Sequence, residues 1–148
     1  MSTLKWATPE AIQTAMTTGL NSLGNGNTAI GSSIDNSSDL YMYIALEVVL
    51  PSITTGAGAP SIDVWCLSSA DGTNYEDGSA GTPGVIPDRP PDASFALKPS
   101  STSAWRRVIV NVPIPPVKFD LLLMNNSGVA LAASANTLKY SRYNLQTV

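Results

Sequence analysis

The densest group of ionisable side chains in this sequence is Asp71, Glu76 and Asp77, with Asn74 and Tyr75 between them. A calcium loop of the helix–loop–helix kind needs carboxylates and Asn on alternate positions, a central Gly and a distal Glu. That spacing is absent, so an irregular calcium site and a hairpin built on the two Asp-Gly pairs, Asp71-Gly72 and Asp77-Gly78, remain as readings. A glycosidase pair would need an apolar pocket to raise one carboxyl and a groove for the sugar, and neither is signalled. The chain has no His, which excludes Ser-His-Asp and Cys-His nucleophile systems and imidazole metal sites. One Cys, Cys66, excludes an intrachain disulfide and a thiolate zinc cluster, and strand alternation places it in the core. The expectation is a protein without catalytic residues, metal ligands or a cofactor.

Aromatic and cationic side chains are the better candidates, as binding groups. By period-2 alternation Tyr41, Tyr43 and Trp65 point outward, while Trp6 and Trp105 lie near element ends. Arg106-Arg107, beside Trp105, is the one basic pair. Such residues dominate protein interfaces; they also stack on sugars, or are covered by the N-terminal segment or a second sheet. With Leu20 from the N-terminal region, the candidate partner-binding set is Trp6, Leu20, Tyr41, Tyr43, Trp65, Trp105, Arg106 and Arg107.

The elements that must position these residues are strands. Asp39 to Leu50 alternates Leu40, Met42, Ile44, Leu46, Val48 and Leu50 with Tyr41, Tyr43, Ala45, Glu47 and Val49, and Pro51 is expected to end it. Ser61 to Ser68 places Ile62, Val64 and Cys66 on one face and Asp63, Trp65 and Leu67 on the other. In Trp105 to Val112 the expectation is Val108, Val110 and Val112 inward, with Arg107, Ile109 and Asn111 outward. Val117 to Met124 reads as buried on both faces. Residues 28–34, 93–97, 129–135 and 137–143 supply further strands. Between residues 69 and 104 lies a Pro- and Gly-rich connection of the functional or mobile kind. At the N-terminus, Thr8 as a cap, Pro9 at the first turn and Glu10 admit a short helix over 8–16, with an extended arm as the equal alternative.

At 148 residues the chain is one domain in size, read as an arm over 1–27 and a sandwich over 28–148. Many strands with turn signals between them imply an all-β, jelly-roll-like antiparallel β-sandwich. Charged residues make up only 13%, against about 25% in an ordinary soluble domain. Ser and Thr fill the deficit, and so neutral a surface suits burial against protein. A net charge of −3 argues against nucleic acid as partner. The longest apolar run, Tyr41 to Leu50, is half the ~20 residues of a membrane span. Met1 to Trp6 lacks the basic and apolar regions of a secretion signal, so synthesis in the cytoplasm is expected.

Several segments bear on a family: Gly19 to Leu23, Ser33 to Ser37, Asp71 to Tyr75, Pro113 to Phe119, Leu123 to Gly128 and Tyr140 to Asn144. Together they resemble small structural proteins of tailed bacteriophages, of the jelly-roll head cement, or decoration, kind. The resemblance covers most of the chain from residue 19 onward; the Pro-rich stretch Gly81 to Pro91 departs from it. It implies a virion protein on the capsid surface, with the major capsid protein and copies of itself, as dimer or trimer, as partners. A carbohydrate-binding module and a neck or tail component are the alternatives.

Overall fold

A computed structural model describes residues 2–79 and 81–148. Eleven strands run in order: β1 (Leu4–Trp6), β2 (Gln13–Met16), β3 (Thr28–Ile30), β4 (Ile34–Asp35), β5 (Tyr43–Thr54), β6 (Ser61–Ser69), β7 (Ala93–Ala96), β8 (Thr102–Pro113), β9 (Lys118–Asn126), β10 (Thr137–Tyr143) and β11 (Leu145–Thr147). Their pairing is nested: β1 with β11, β2 with β10, β3 and β4 with β9, β5 with β8, β6 with β7, all antiparallel. The chain is thus one long ribbon, its base at the termini and its tip at residues 70–92. Rolling this ribbon puts successive strand pairs in opposite sheets, and two further ladders, β10–β5 and β6–β9, complete them. The first sheet runs β2-β10-β5-β8 and the second β3-β9-β6-β7. This is the eight-stranded order of a jelly roll.

The core lies between the sheets. Ile44, Leu46, Val48 and Leu50 of β5 and Leu138 of β10 face Ile62 and Val64 of β6 and Phe119, Leu121 and Leu123 of β9, all sealed from solvent. Each such side chain contributes about 1.5–3 kcal/mol by leaving water. Leu20, a candidate binding residue, is wholly buried here, and so is Trp105. Leu20 ends the turn before β3 that packs inward, and Trp105 lies within β8 opposite the core residue Leu50.

The second sheet also buries its outer face. The ribbon tip folds back over it, and Trp65, Leu67, Tyr75 and Leu122 form a second, smaller cluster. Trp65 does point outward, as the alternation required, yet it is only 4% exposed. Its indole N–H donates to the Arg89 carbonyl at 3.1 Å. Arg89 is held by Glu76 at 2.7 Å and Asp92 at 2.9 Å, and donates to the Cys66 carbonyl at 3.2 Å.

Several strand expectations change. Residues 8–16 are extended, because β2 finds a ladder partner in β10, and residues 1–27, expected as an arm beside the sandwich, supply both β1 and β2. The 28–34 strand divides into β3 and β4 around Gly31, whose N–H donates to the Leu121 carbonyl. Leu40 and Met42 precede β5 and are exposed, and β5 continues through Pro51 to Thr54. Pro51 sits in a register shift between Leu50 and Ile53, where the ladder does not need its missing N–H. Residues 129–135 form no strand; Leu131 plugs the core and takes the Leu23 carbonyl instead. Beside this segment Gly128 is at φ 85°, and a Cβ there would stand 2.6 Å from the Gly56 Cα.

The largest correction concerns β8. Leu46 pairs with Ile109 and Ile44 with Val112, so Val110 and Asn111 together oppose Ala45. This β-bulge inverts the alternation. Trp105 and Ile109 turn toward the core, and Val108 and Val110 turn outward, each 56% exposed. Asn111 takes φ 61° at the bulge. One hydroxyl, that of Tyr143, accepts from the Asn111 N–H at 2.7 Å and donates to its side-chain carbonyl at 2.8 Å.

Candidate protein-docking face

The outer face of the first sheet is built from alternate residues of three strands. Register places Tyr43 beside Tyr143, Ala45 beside Ser141, Glu47 between Lys139 and Val108, and Val49 beside Arg106. Unlike the second sheet, this face has no long loop folded across it among the described residues. Only the terminal ribbon, β1 with β11, crosses one end. It brings Trp6 edge-on to Tyr43 at 5.8 Å and to Tyr143 at 5.4 Å, and the two tyrosines stack at 6.0 Å between centroids. Such pairs each add about 0.5–1.5 kcal/mol beyond their buried area.

Trp6, Ala7 and Pro9 form one wall of a groove and Val110 and Asn111 the other, with Ala45, Ser141 and Tyr143 as floor; its volume is about 510 Å³. Trp6 remains 52% exposed at the rim. Two of the polar side chains in the groove are engaged within the chain. Ser141 Oγ donates to the Glu10 carbonyl at 2.7 Å, and Asn111 exchanges two hydrogen bonds with Tyr143. What the groove offers a ligand is mostly apolar and aromatic surface, with the Trp6 indole N–H and the Asn111 side-chain amide on its walls.

The wall carrying Trp6 is fixed by a buried clasp. Glu10 and Arg142 are 12% and 8% exposed. The carboxylate accepts from Arg142 Nε at 2.8 Å, Nη2 at 2.9 Å and the backbone N–H at 3.0 Å. Arg142 also reaches the Asp35 carbonyl at 3.0 Å and Asp39 at 3.3 Å, and lies 4.8 Å from the Tyr41 ring centroid. Its bond to Glu10 pushes the guanidinium pKa further up. Tyr41 is thereby committed to the clasp.

Charge is divided between the two sides of the sandwich. Residues 63–92 hold six of the eleven acidic residues and one of the eight basic ones, while the rest of the chain has five against seven. The acidic stretch is β6 with the tip covering the second sheet. On the first sheet Glu47, 8% exposed, accepts from Arg106 at 2.8 Å, and Lys139 stands beside it. Arg107 lies over the Trp105 ring at 5.1 Å. The groove side thus leans basic and the opposite side acidic.

No family model and no curated protein matches this chain.

Of the candidate residues, the structure brings Trp6 and Tyr43 together and sets Arg106 and Arg107 on the same sheet's edge strand. Leu20, Trp65 and Trp105 belong to packed interiors. Tyr143, Val108 and Val110 were missed. Tyr143 was legible from its spacing to Lys139 and Ser141; the two valines were hidden by the bulge. The acidic cluster is turn chemistry. Asp71 accepts from the N–H groups of Thr73 and Asn74 at 2.8 Å each, from the Asn74 amide at 2.7 Å and from Ser69 Oγ at 3.1 Å. These bonds hold its carboxyl well below the usual range. Among the described residues, no helix is long and apolar enough to cross a membrane.

Proposed function

We propose that this chain is a structural protein of a virus particle, a decoration protein that docks on the outside of the assembled head through the outer face of its first sheet. The observation that carries this reading is the groove itself: an open, mostly aromatic and apolar strip on the more basic side of a domain otherwise poor in charge. The jelly-roll order supports it, since this architecture recurs in viral coat and lectin domains. The segments that resemble phage cement proteins give the same direction. A sugar-binding role has less support, because Trp65, Tyr75 and Trp105, the aromatic residues that suggested it, are all buried.

The mechanism is additive. A head under internal pressure fails by separating its subunits. A protein straddling two of them adds area that separation must expose. A standard specific interface buries about 1,600 Å² in total. Repeated across a shell, contacts of even modest affinity resist expansion together. The basic side also steers approach toward an acidic shell surface.

The test is co-sedimentation of the purified chain with heads that lack it. Val110→Glu places a repelling charge in the groove wall at an exposed site, and is expected to abolish binding while leaving the thermal melt unchanged. Asp88→Lys, on the opposite side, is expected to bind as wild type. Wild-type binding by Val110→Glu would overturn the assignment of the face.

A further inference from the structure

The two sheets present four outer strands, and three are blunted. β2 has four residues, β3 and β4 have three and two with a break between them, and β7 has four. Short or interrupted edges offer little template for another strand. β8 is different: twelve residues long, it pairs only with β5 among the described residues. A long edge strand with exposed apolar residues is a site for pairing with another chain.

Charges on an edge normally guard against this. On β8 they are Arg106 and Arg107, and neither stands free. Arg106 is drawn onto its own sheet by Glu47 at 2.8 Å, and Arg107 lies over Trp105. Beyond them Val108 and Val110 are more than half exposed.

We infer that β8 is a self-pairing edge: two copies of this chain join antiparallel along it, with Val108 on the two-fold axis, in one continuous eight-stranded sheet. Three constraints, with Val108 as the exposed apolar residue of the straight stretch, favour that register. Outward residues must meet outward residues, so the strands shift only by even steps. The bulge at Val110 and Asn111 ends the straight stretch. Axes at Arg106 or Arg107 would set like charges directly opposite, which is destabilising. With the axis at Val108, the two copies of that valine meet, and each Arg106 lies beside Val110 of the second copy, where its aliphatic stem packs. Arg107 meets Ile109 in the same way. This is an isologous contact, closed at two copies.

The inference stands apart from the docking reading and concerns the purified chain alone. It adds a consequence: a dimer sets two grooves side by side on one sheet, so binding at one raises the effective concentration at the other.

Sedimentation of the full chain across the micromolar range is expected to give twice the 15.5 kDa chain mass. Val108→Lys is expected to give a folded monomer whose Tm does not depend on concentration, where that of the wild-type dimer rises with it. Val108→Cys is expected to cross-link to itself on oxidation or with a short bismaleimide. Ala104→Cys, exposed on the same strand but four residues from the axis, is not. The native Cys66 does not interfere, because it is buried and burial pushes its thiol far up. A monomer at every concentration, a dimer unaffected by Val108→Lys, or cross-linking through Ala104→Cys in place of Val108→Cys would each overturn the inference.

Discussion

Replacing Glu10 with Ala removes three of the five hydrogen bonds that hold Arg142, and leaves a guanidinium 8% exposed without its main partner. Stripping one member from a buried ion pair costs about 3–5 kcal/mol, most of it the cost of the uncompensated charge. Asp39, at 3.3 Å and 53% exposed, retains part of the interaction, which sets the expectation near the lower end, about 3 kcal/mol. For a chain of this size each kcal/mol moves Tm by roughly 2–4 °C, so the melt should fall by about 6–12 °C. The loss should persist in about 1 M salt, because a buried pair is screened much less than a surface one. Replacing both partners, Glu10→Met with Arg142→Met, should recover most of it, since an apolar pair leaves no buried charge. The assay is chemical denaturation at two salt concentrations, joined to amide exchange. Glu10→Ala should speed exchange over residues 4–16, the segment the clasp ties down. A loss below about 1 kcal/mol, or one that disappears in high salt, would place the pair in the class of weak surface bridges and refute the reasoning.

Two further predictions follow from the second sheet. Trp65→Ala empties the pocket beneath the ribbon tip and breaks the bond to the Arg89 carbonyl, at a cost of about 3–5 kcal/mol in denaturant melts; a cost under about 1 kcal/mol would mean the tip does not cover it. Burial pushes the Asp120 carboxyl above its ordinary value, with Tyr75 Oη donating to it at 3.1 Å. The folded state therefore keeps that proton to higher pH than the unfolded chain. The stability Asp120 contributes falls as pH rises from its unfolded pKa, near 4, through the raised folded value. Asp120→Asn should gain on wild type between about pH 4 and pH 7; a pH-independent difference, or the opposite trend, would contradict the assignment. Asp71 has the opposite sign, its contribution being present above its unfolded pKa and lost as the pH falls through its lowered folded value.

The fold was largely legible because alternation reports burial directly. Ile44 to Leu50 and Ile62 to Cys66 face the core as their spacing demanded, and the strand-rich pattern pointed to a jelly roll. What stayed hidden depends on contacts between distant segments. The bulge at Asn111 inverts β8 by placing one extra residue opposite Ala45, and no local signal in Val108-Ile109-Val110 reports it. Trp65 shows the other gap. Alternation assigns a side chain to a face but not what covers that face, and here the cover comes from the ribbon tip, some twenty-four residues further along. The N-terminal segment is extended because β10 and β11 supply ladder partners at the far end of the chain, which outweighs its capped, Pro-initiated helix signal. The groove combines all three effects, so of its key residues only Trp6 and Tyr43 were named in advance, although Tyr143 was legible from its spacing.

The most direct test of the central claim is quantitative mass spectrometry of virus particles purified from cells that express this chain. The account predicts the chain at a fixed stoichiometry to the major capsid subunit, retained through density-gradient purification. Its absence from those particles, or traces without a constant ratio, would contradict a decoration role.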